Sequence, residues 1–219
     1  MGFSTVPVEE IDIPLDDFQA KQPDIAGFSA SALIFCYYPQ LRTFCLLLCL
    51  RAPLGKDENG KDKPNSWAFT WEPPGGACEK TDQTILTAAK RETKEEVNLR
   101  SWCVSRKVYR DSWTHKGIPM ARYTVPMDVC EPIQPQRIWC DKQQEPVGIH
   151  EGPIQLREDE HLDYCWATEA QIRDSPPYDE KNPRRRQRGL VMLESKKEII
   201  FDAFKQLKNS QLDMTYGLW

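Results

Sequence analysis

The sequence predicts an α/β (α+β) domain in which helices pack on a mixed β-sheet. Three observations lead there. Two apolar runs rich in strand formers, Phe28 to Tyr38 and Thr43 to Leu50, are separated by a short turn at Pro39-Gln40. Two segments, Thr84 to Val97 and Leu190 to Leu207, repeat apolar residues at helical spacing. Shorter strand-like runs lie between the two helices. Strands, one helix, more strands and a closing helix form the order expected of a sheet with helices laid on it.

The size fits this class. A chain of 219 residues with 40% apolar content suits one domain with a substantial core. A net charge of −4 argues against general coating of nucleic acid, which wants a basic surface. It leaves a nucleotide substrate open, because a metal can neutralise phosphate charge. The eight cysteines form no C-x-x-C pair, so a structural zinc site is not expected. The first 20 residues carry acids and no apolar core of a signal peptide. The longest strongly apolar run, Thr43 to Leu50, is too short to span a bilayer. A reduced, cytoplasmic protein without a membrane partner is expected.

The elements follow in order. Residues 1–26 mix acids and prolines and read as an arm with little regular structure. Residues 27–219 read as a single domain, with insertions near 51–66 and 131–157. Phe28 to Tyr38 and Thr43 to Leu50 pair as a hairpin. Lys56 to Ser66 is a polar loop. Ala68 to Glu72 is a short strand with tryptophans near both ends, followed by Pro73-Pro74-Gly75-Gly76, where the double glycine marks a special turn or a close approach. Thr84 to Val97 is the first helix, with Asn98 at the expected left-handed cap. Leu99 to Tyr109 and Met120 to Val129 are strands joined through Lys116-Gly117. Residues 131–157 show no clear period and read as an irregular insertion. Leu162 to Ala167 is another strand, and Thr168 to Ile172 begins a helical turn. A proline- and arginine-rich loop, Ser175 to Arg188, precedes the last helix.

Chemistry is concentrated at the end of the first helix, Arg91-Glu92-Thr93-Lys94-Glu95-Glu96-Val97. At about 100° per residue, Glu92, Glu95 and Glu96 share one arc. Ile85, Ala88 and Ala89 continue that arc, so the early turns pack inward and the late turns carry carboxylates. A like-charge pair at i,i+4 costs ~0.2–0.5 kcal/mol on a helix surface. A divalent cation removes the penalty, because hard oxygen ligands suit Mg²⁺ or Mn²⁺.

The glycine turn, the acidic helix and the β-rich frame together resemble the Nudix (MutT-like) hydrolase family. Its signature is G-x5-E-x7-R-E-U-x-E-E-x-G-U, with U aliphatic. Arg91, Glu92, Glu95, Glu96 and Leu99 fall in register, and Glu160 to Trp166 resembles the strand before the family's final helices. The first half is altered. Gln83 stands at the first glutamate, and Ala77 stands at the glycine position, with Gly75-Gly76 just before it. This implies a one-residue insertion in the turn, so Glu79 or Asp82 is an alternative source of the first carboxylate. Thr93 and Asn98 replace an aliphatic residue and a glycine.

The resemblance implies an α/β/α sandwich and hydrolysis of a diphosphate linkage with Mg²⁺ or Mn²⁺. It implies Glu92 and Glu96 as main metal ligands, with Glu95 as third ligand or base. Arg91 orients the glutamates, and Gln83 is placed among the catalytic residues. The backbone at Gly75 and Gly76 approaches metal or phosphate. A further ligand comes from Glu158, Asp159 or Glu160, of which Glu160 is favoured. Substrates range over nucleotide sugars, dinucleotides, capped RNA and organic diphosphates including prenyl diphosphates; a homodimer is a further implication. Trp71 and Trp139 are assigned to substrate binding. For Trp67, Trp71, Trp113 and Trp139, core packing and a base-stacking or apolar-ligand role both stay open. So do a solvated loop and phosphate contact for Arg184 to Arg188, and structural roles for His115, His150 and His161. Gln83 also leaves open a redirected, isomerase- or cyclase-type chemistry. A ligand sensor is the third reading.

Overall fold

The computed structural model describes residues 2–56, 61–65, 67–115, 117–149, 152–179 and 189–216. The chain opens with β1 (Ser4–Pro7), α1 (Val8–Ile11) and α2 (Leu15–Ala20). Then come β2 (Gly27–Tyr38), β3 (Thr43–Arg51), β4 (Leu54–Lys56), β5 (Asp62–Pro64), β6 (Trp71–Glu72) and β7 (Gly75–Ala77). Helix α3 (Ile85–Val97) precedes β8 (Ser101–Cys103), β9 (Lys107–His115), β10 (Ile118–Val129), β11 (Arg137–Cys140), β12 (Glu145–Gly148) and β13 (His161–Thr168). Helices α4 (Glu169–Arg173) and α5 (Glu194–Tyr216) close the chain.

An 11-stranded sheet runs β1-β9-β10-β2-β3-β13-β11-β12, with β6 on β3, β7 on β2 and β8 on β10. Strands β4 and β5 form a separate hairpin. The sheet is mixed because β10 pairs parallel with β2, and β11 with β13, while the other pairs are antiparallel. The expected hairpin is present, with Phe35 opposite Leu46 and Tyr38 opposite Thr43.

Strand alternation sorts the core into two faces. Phe28, Ala30, Ala32 and Ile34 of β2 join Cys45, Leu47, Tyr164 and Trp166 in a cluster with Ile85, Ala88, Ala89 and Val97 of α3. Leu33 of β2 joins Leu46, Leu48, Cys165 and Ala167 in a second cluster with Ile199, Ile200, Ala203 and Phe204 of α5. Both strand faces are therefore apolar, as the unbroken run Thr43 to Leu50 requires. The result is the expected α/β/α sandwich. No helix among the described residues is long and apolar enough to cross a membrane.

Several elements differ from the sequence expectation. The segment 1–26 is built into the domain rather than free of structure. Strand β1 pairs with β9, and Phe18 packs edge-on against Phe28 and Tyr123 at ring distances of 5.1 and 5.3 Å. Its apolar residues are too sparse to show a period, and their partners are distant in sequence. The region 131–157 contains the hairpin β11–β12, joined to the sheet where Ile138 meets Trp166. Of the strand expected at 68–72 only β6 remains. The strand expected at 99–109 divides into β8 and β9, and β9 runs on to His115. Helix α5 begins at Glu194 rather than Leu190. Ser66, Lys116, His150 and Arg184 to Arg188 lie outside the described residues.

One ionic cluster pins α5 to the sheet. The buried carboxylate of Glu72 in β6 takes Arg51 of β3 on one oxygen and Lys196 of α5 on the other. Burial alone raises a carboxyl pKa. Here Arg51 and Lys196 outweigh burial and hold Glu72 at about 2, while burial pulls Lys196 down to about 8.

Two outcomes are expected. Phe18→Ala lowers stability by about 3–5 kcal/mol in urea unfolding, as loss of a buried aromatic does; a shift under ~0.5 kcal/mol would show that the N-terminal segment does not contribute to the core. Glu72→Gln leaves two partly buried cations without their buried counter-charge and costs about 3–5 kcal/mol at pH 7. Because the folded pKa of Glu72 lies below its ordinary 4.5, its contribution is present above pH 4.5. It is lost as pH falls from 4.5 toward 2, so the stability gap between wild type and Glu72→Gln narrows over that window.

Candidate active site

Helix α3 places the acidic residues. Thr84 caps its first turn, accepting the Thr87 N–H, while Thr87 Oγ1 accepts the Thr84 N–H at 2.8 Å. Asn98 ends it in the left-handed conformation at φ 59°. Ile85, Ala88 and Ala89 pack against the sheet, and Glu92 and Glu96 continue the same face at 7% and 3% exposure. Glu95 stands exposed beside them.

Strand β7 threads between this face and β2. The Gly75 N–H donates to Glu96 Oε2 at 2.7 Å. A Cβ at Gly76 would lie 2.7 Å from the Glu92 carboxylate, and one at Gly75 would lie 2.4 Å from Ala30 O. The double glycine is therefore a requirement of close approach rather than an ordinary turn.

Arg91 fixes the acidic turn. Its Nε and Nη2 donate to the two oxygens of buried Asp82, each at 2.9 Å. Nη2 also reaches Ala77 O, and Nη1 lies 2.9 Å from Glu92 Oε1 and 3.0 Å from Glu95 Oε2. Asp82, one position before Gln83, is thus the paired carboxylate. Gln83 is not in the cleft: it is exposed, and its backbone carbonyl accepts the Leu15 N–H. Gln83 does not line the carboxylate cleft, against its placing among the catalytic groups.

A third acidic element comes from the approach to β13. The Arg157 N–H donates to Glu96 O and the Gln155 N–H to Val97 O, which joins this segment to the end of α3. Glu160 and His161 follow. The ligating atoms of Glu96, Glu160 and His161 all lie within 4.8 Å of one another. His161 is 3% exposed, and its Nε2 lies 3.1 Å from Glu96 Oε1. That contact is off the line of a directed hydrogen bond, and Nδ1 has no partner among the described residues. Asp159 is engaged by Arg157 at 3.2 Å.

The electrostatics show a shortage of positive charge. Burial, and then the charge of Glu96, push Glu92 up to about 7 against the pull of Arg91. Burial and Glu96 raise Glu160 likewise. For His161, burial lowers the pKa, but Glu96 and Glu72 outweigh it and the net shift is upward. Several carboxylates and one buried imidazole whose Nε2 faces Glu96 suit a hard divalent cation at this spacing, so the residues present fit such an ion.

Around this centre lies a cleft of about 570 Å³, where Arg51, Lys63, His115 and Arg157 face the acids. A second recess of about 310 Å³ adjoins it and shares Arg51, Trp67 and the Gly75–Ala77 strand. Trp71 and Trp139 line neither. They pack edge-on at 5.7 Å in the core cluster under α5, which corrects their assignment to substrate. Trp67 and Trp113 line the recess instead. The sequence reading also left out His161 and Arg51 as site groups. For His161 the signal was its place directly after Glu160; Arg51 gave none, since only tertiary pairing brings it to the cleft.

A family model described as the NUDIX domain matches residues 28–188, well over half of the chain. Among curated proteins none matches. Among solved structures, a C. elegans Ap4A hydrolase binary complex is 18% identical, with a TM-score of 0.40, over 66% of this chain and 82% of that one. The E. coli ORF135 protein is 14% identical over 84% and 91%, with a TM-score of 0.43. The NUDIX domain of Shewanella oneidensis NrtR, complexed with ADP ribose, is 13% identical over 88% and 96%, with a TM-score of 0.49. On the match to the family model, this chain belongs to the Nudix family.

Proposed function

We propose that the chain is a divalent-metal-dependent hydrolase that cleaves a diphosphate linkage in a nucleoside diphosphate derivative or another organic diphosphate. The observation that carries this reading is the meeting of Glu96 from α3 with Glu160 and His161 at the start of β13, with Glu92 lining the same cation-rimmed cleft. Glu96, Glu160 and His161, with Glu92 beside them, would hold Mg²⁺ or Mn²⁺. The ion supplies charge neutralisation of the diphosphate and activation of water.

The protein's own groups do the rest. The Gly75 N–H keeps Glu96 aimed into the cleft. Arg91, locked by Asp82, sets the side chains of Glu92 and Glu95. Arg51, Lys63 and Arg157 engage non-bridging phosphate oxygens. Glu95 is tied to Arg91 through Oε2, which leaves Oε1 to accept the proton of the attacking water. The case for redirected chemistry rested on Gln83. Asp82 beside Arg91 supplies the carboxylate that Gln83 lacks, which supports the hydrolytic reading over the redirected one.

The assay is a panel of nucleotide sugars, dinucleotides and prenyl diphosphates with Mg²⁺ or Mn²⁺. Glu96→Gln is expected to lower kcat by more than about 100-fold with its fold intact by circular dichroism; undiminished turnover in that variant sinks the assignment. Asp82→Asn is expected to cost about 10–100-fold through loss of the Arg91 clamp. Gln83→Glu is expected to change the rate by no more than about twofold, as an exposed position should.

A further inference from the structure

Two arginines meet the acidic cluster, and they are held differently. Arg91 is clamped: both oxygens of buried Asp82 take it at 2.9 Å, and its side chain is 20% exposed. Arg157 is held loosely. Its Nη1 lies 3.1 Å from Glu160 Oε1 and 3.8 Å from Glu95 Oε2, its Nε donates to Asp159 at 3.2 Å, and its side chain is 44% exposed. The fixed contacts come from its backbone. The N–H donates to Glu96 O, and the carbonyl accepts the N–H groups of Glu160 and His161. The main chain at residue 157 thus belongs to the frame, while the guanidinium rests on the cleft wall by single contacts.

What that guanidinium touches gives it a consequence. Glu160 offers one of the three ligand atoms, with Glu96 and His161, that lie within 4.8 Å of one another. Glu95 belongs to α3. Arg157 therefore ties a carboxylate of the helix to a carboxylate of the β13 approach, at the edge of the ligand cluster. Burial and the charge of Glu96 raise Glu160, and Arg157 is the foremost group pulling against them. A divalent ion at Glu160 takes over that task with more charge. Ion and guanidinium on one carboxylate then repel each other, and hard oxygen ligands favour the ion. An exposed pair made of single contacts holds by a factor of about five or less, so the arginine is the partner that yields. An arginine that orients a ligand is better served by the forked, buried seating of Arg91.

We propose that Arg157 is a built-in competitor of the divalent cation: it neutralises Glu160 until the ion displaces it, and the freed guanidinium then engages the phosphate of the substrate. The inference rests on the hydrolase reading and adds a coupling to it. Ion and phosphate both favour the released guanidinium, so each strengthens the binding of the other through one side chain. Arg157 is a positioning residue whose own partner changes as the cleft fills.

The test is calorimetric titration with Mn²⁺ alone, without substrate, of wild type, Arg157→Met and Lys63→Met. Arg157→Met keeps the backbone contacts of residue 157 and is expected to bind Mn²⁺ about fivefold tighter than wild type. A structural or ligand-orienting arginine gives the opposite sign, so unchanged or weaker binding overturns the proposal. Lys63→Met removes a positive charge from the same cleft and is expected to change the affinity by less than about twofold. An equal gain in both variants assigns the effect to net charge and overturns the proposal too. In saturating Mn²⁺, methylene diphosphonate is expected to bind Arg157→Met about fivefold more weakly than wild type; equal binding overturns the hand-over to phosphate. Should Arg157→Met fail to fold, Arg157→Gln carries the same expectations. Absence of Mn²⁺ binding in all of these proteins overturns the hydrolase reading and the competitor with it. Metal-dependent diphosphate hydrolysis by wild type, with no gain of Mn²⁺ affinity in Arg157→Met, overturns the competitor alone.

Discussion

A repulsion organises the centre of this molecule. Glu92 and Glu96 sit one helical turn apart and are both almost fully buried. On an exposed helix such a pair costs only tenths of a kcal/mol. In a low-dielectric cleft the cost rises: burial first, and then the charge of Glu96, push Glu92 up to about 7. The surrounding elements can be read as what keeps those side chains in place. The glycines of β7 bring a backbone N–H to Glu96. Asp82 locks Arg91 beside Glu92. The segment 155–157 ties the last carbonyls of α3 to the approach of β13, which sets Glu160 and His161 opposite.

Local signals were legible in the sequence. The hairpin of β2 and β3 follows from composition and a short turn. Helix α3 was readable almost to the residue, because Thr84 and Asn98 are capping residues with a mechanism and the apolar positions keep helical period. Signals that depend on distant partners were not. Strand β1 has no pattern of its own until β9 pairs with it. The β11–β12 hairpin turns at Gln144, which takes φ 56° without being glycine or asparagine, so no turn residue announces it. Among the tryptophans, composition cannot separate wall from core. Trp113 faces the recess while Trp71 and Trp139 pack under α5, and only strand parity and pairing decide this. For Gln83 the spacing left Glu79 and Asp82 as alternatives, and only the two hydrogen bonds from Arg91 to Asp82 choose between them.

The two helices divide the labour of the sandwich. Helix α3 brings carboxylates to one edge, and α5 brings Lys196 to the neighbouring recess. Arg51, at the end of β3, belongs to both. It pairs with Glu72 and so with Lys196, which makes the ionic cluster a structural tie and a boundary between a charge-handling cleft and an aromatic-walled one.

The parallel pairing of β10 with β2 bears on how the chain is made. Gly27 waits for Met120, Arg51 for His161 and Glu72 for Lys196. During synthesis on the ribosome, the middle strands β2 and β3 emerge long before the neighbours that cover their edges. Such non-local pairing is slow and leaves apolar strands open to other chains. The same delay has a useful side. Glu92 and Glu96 emerge before Glu160 and His161, so the nascent chain cannot assemble the full ligand cluster until β13 is docked. Metal capture would then report that most of the sheet is already in place.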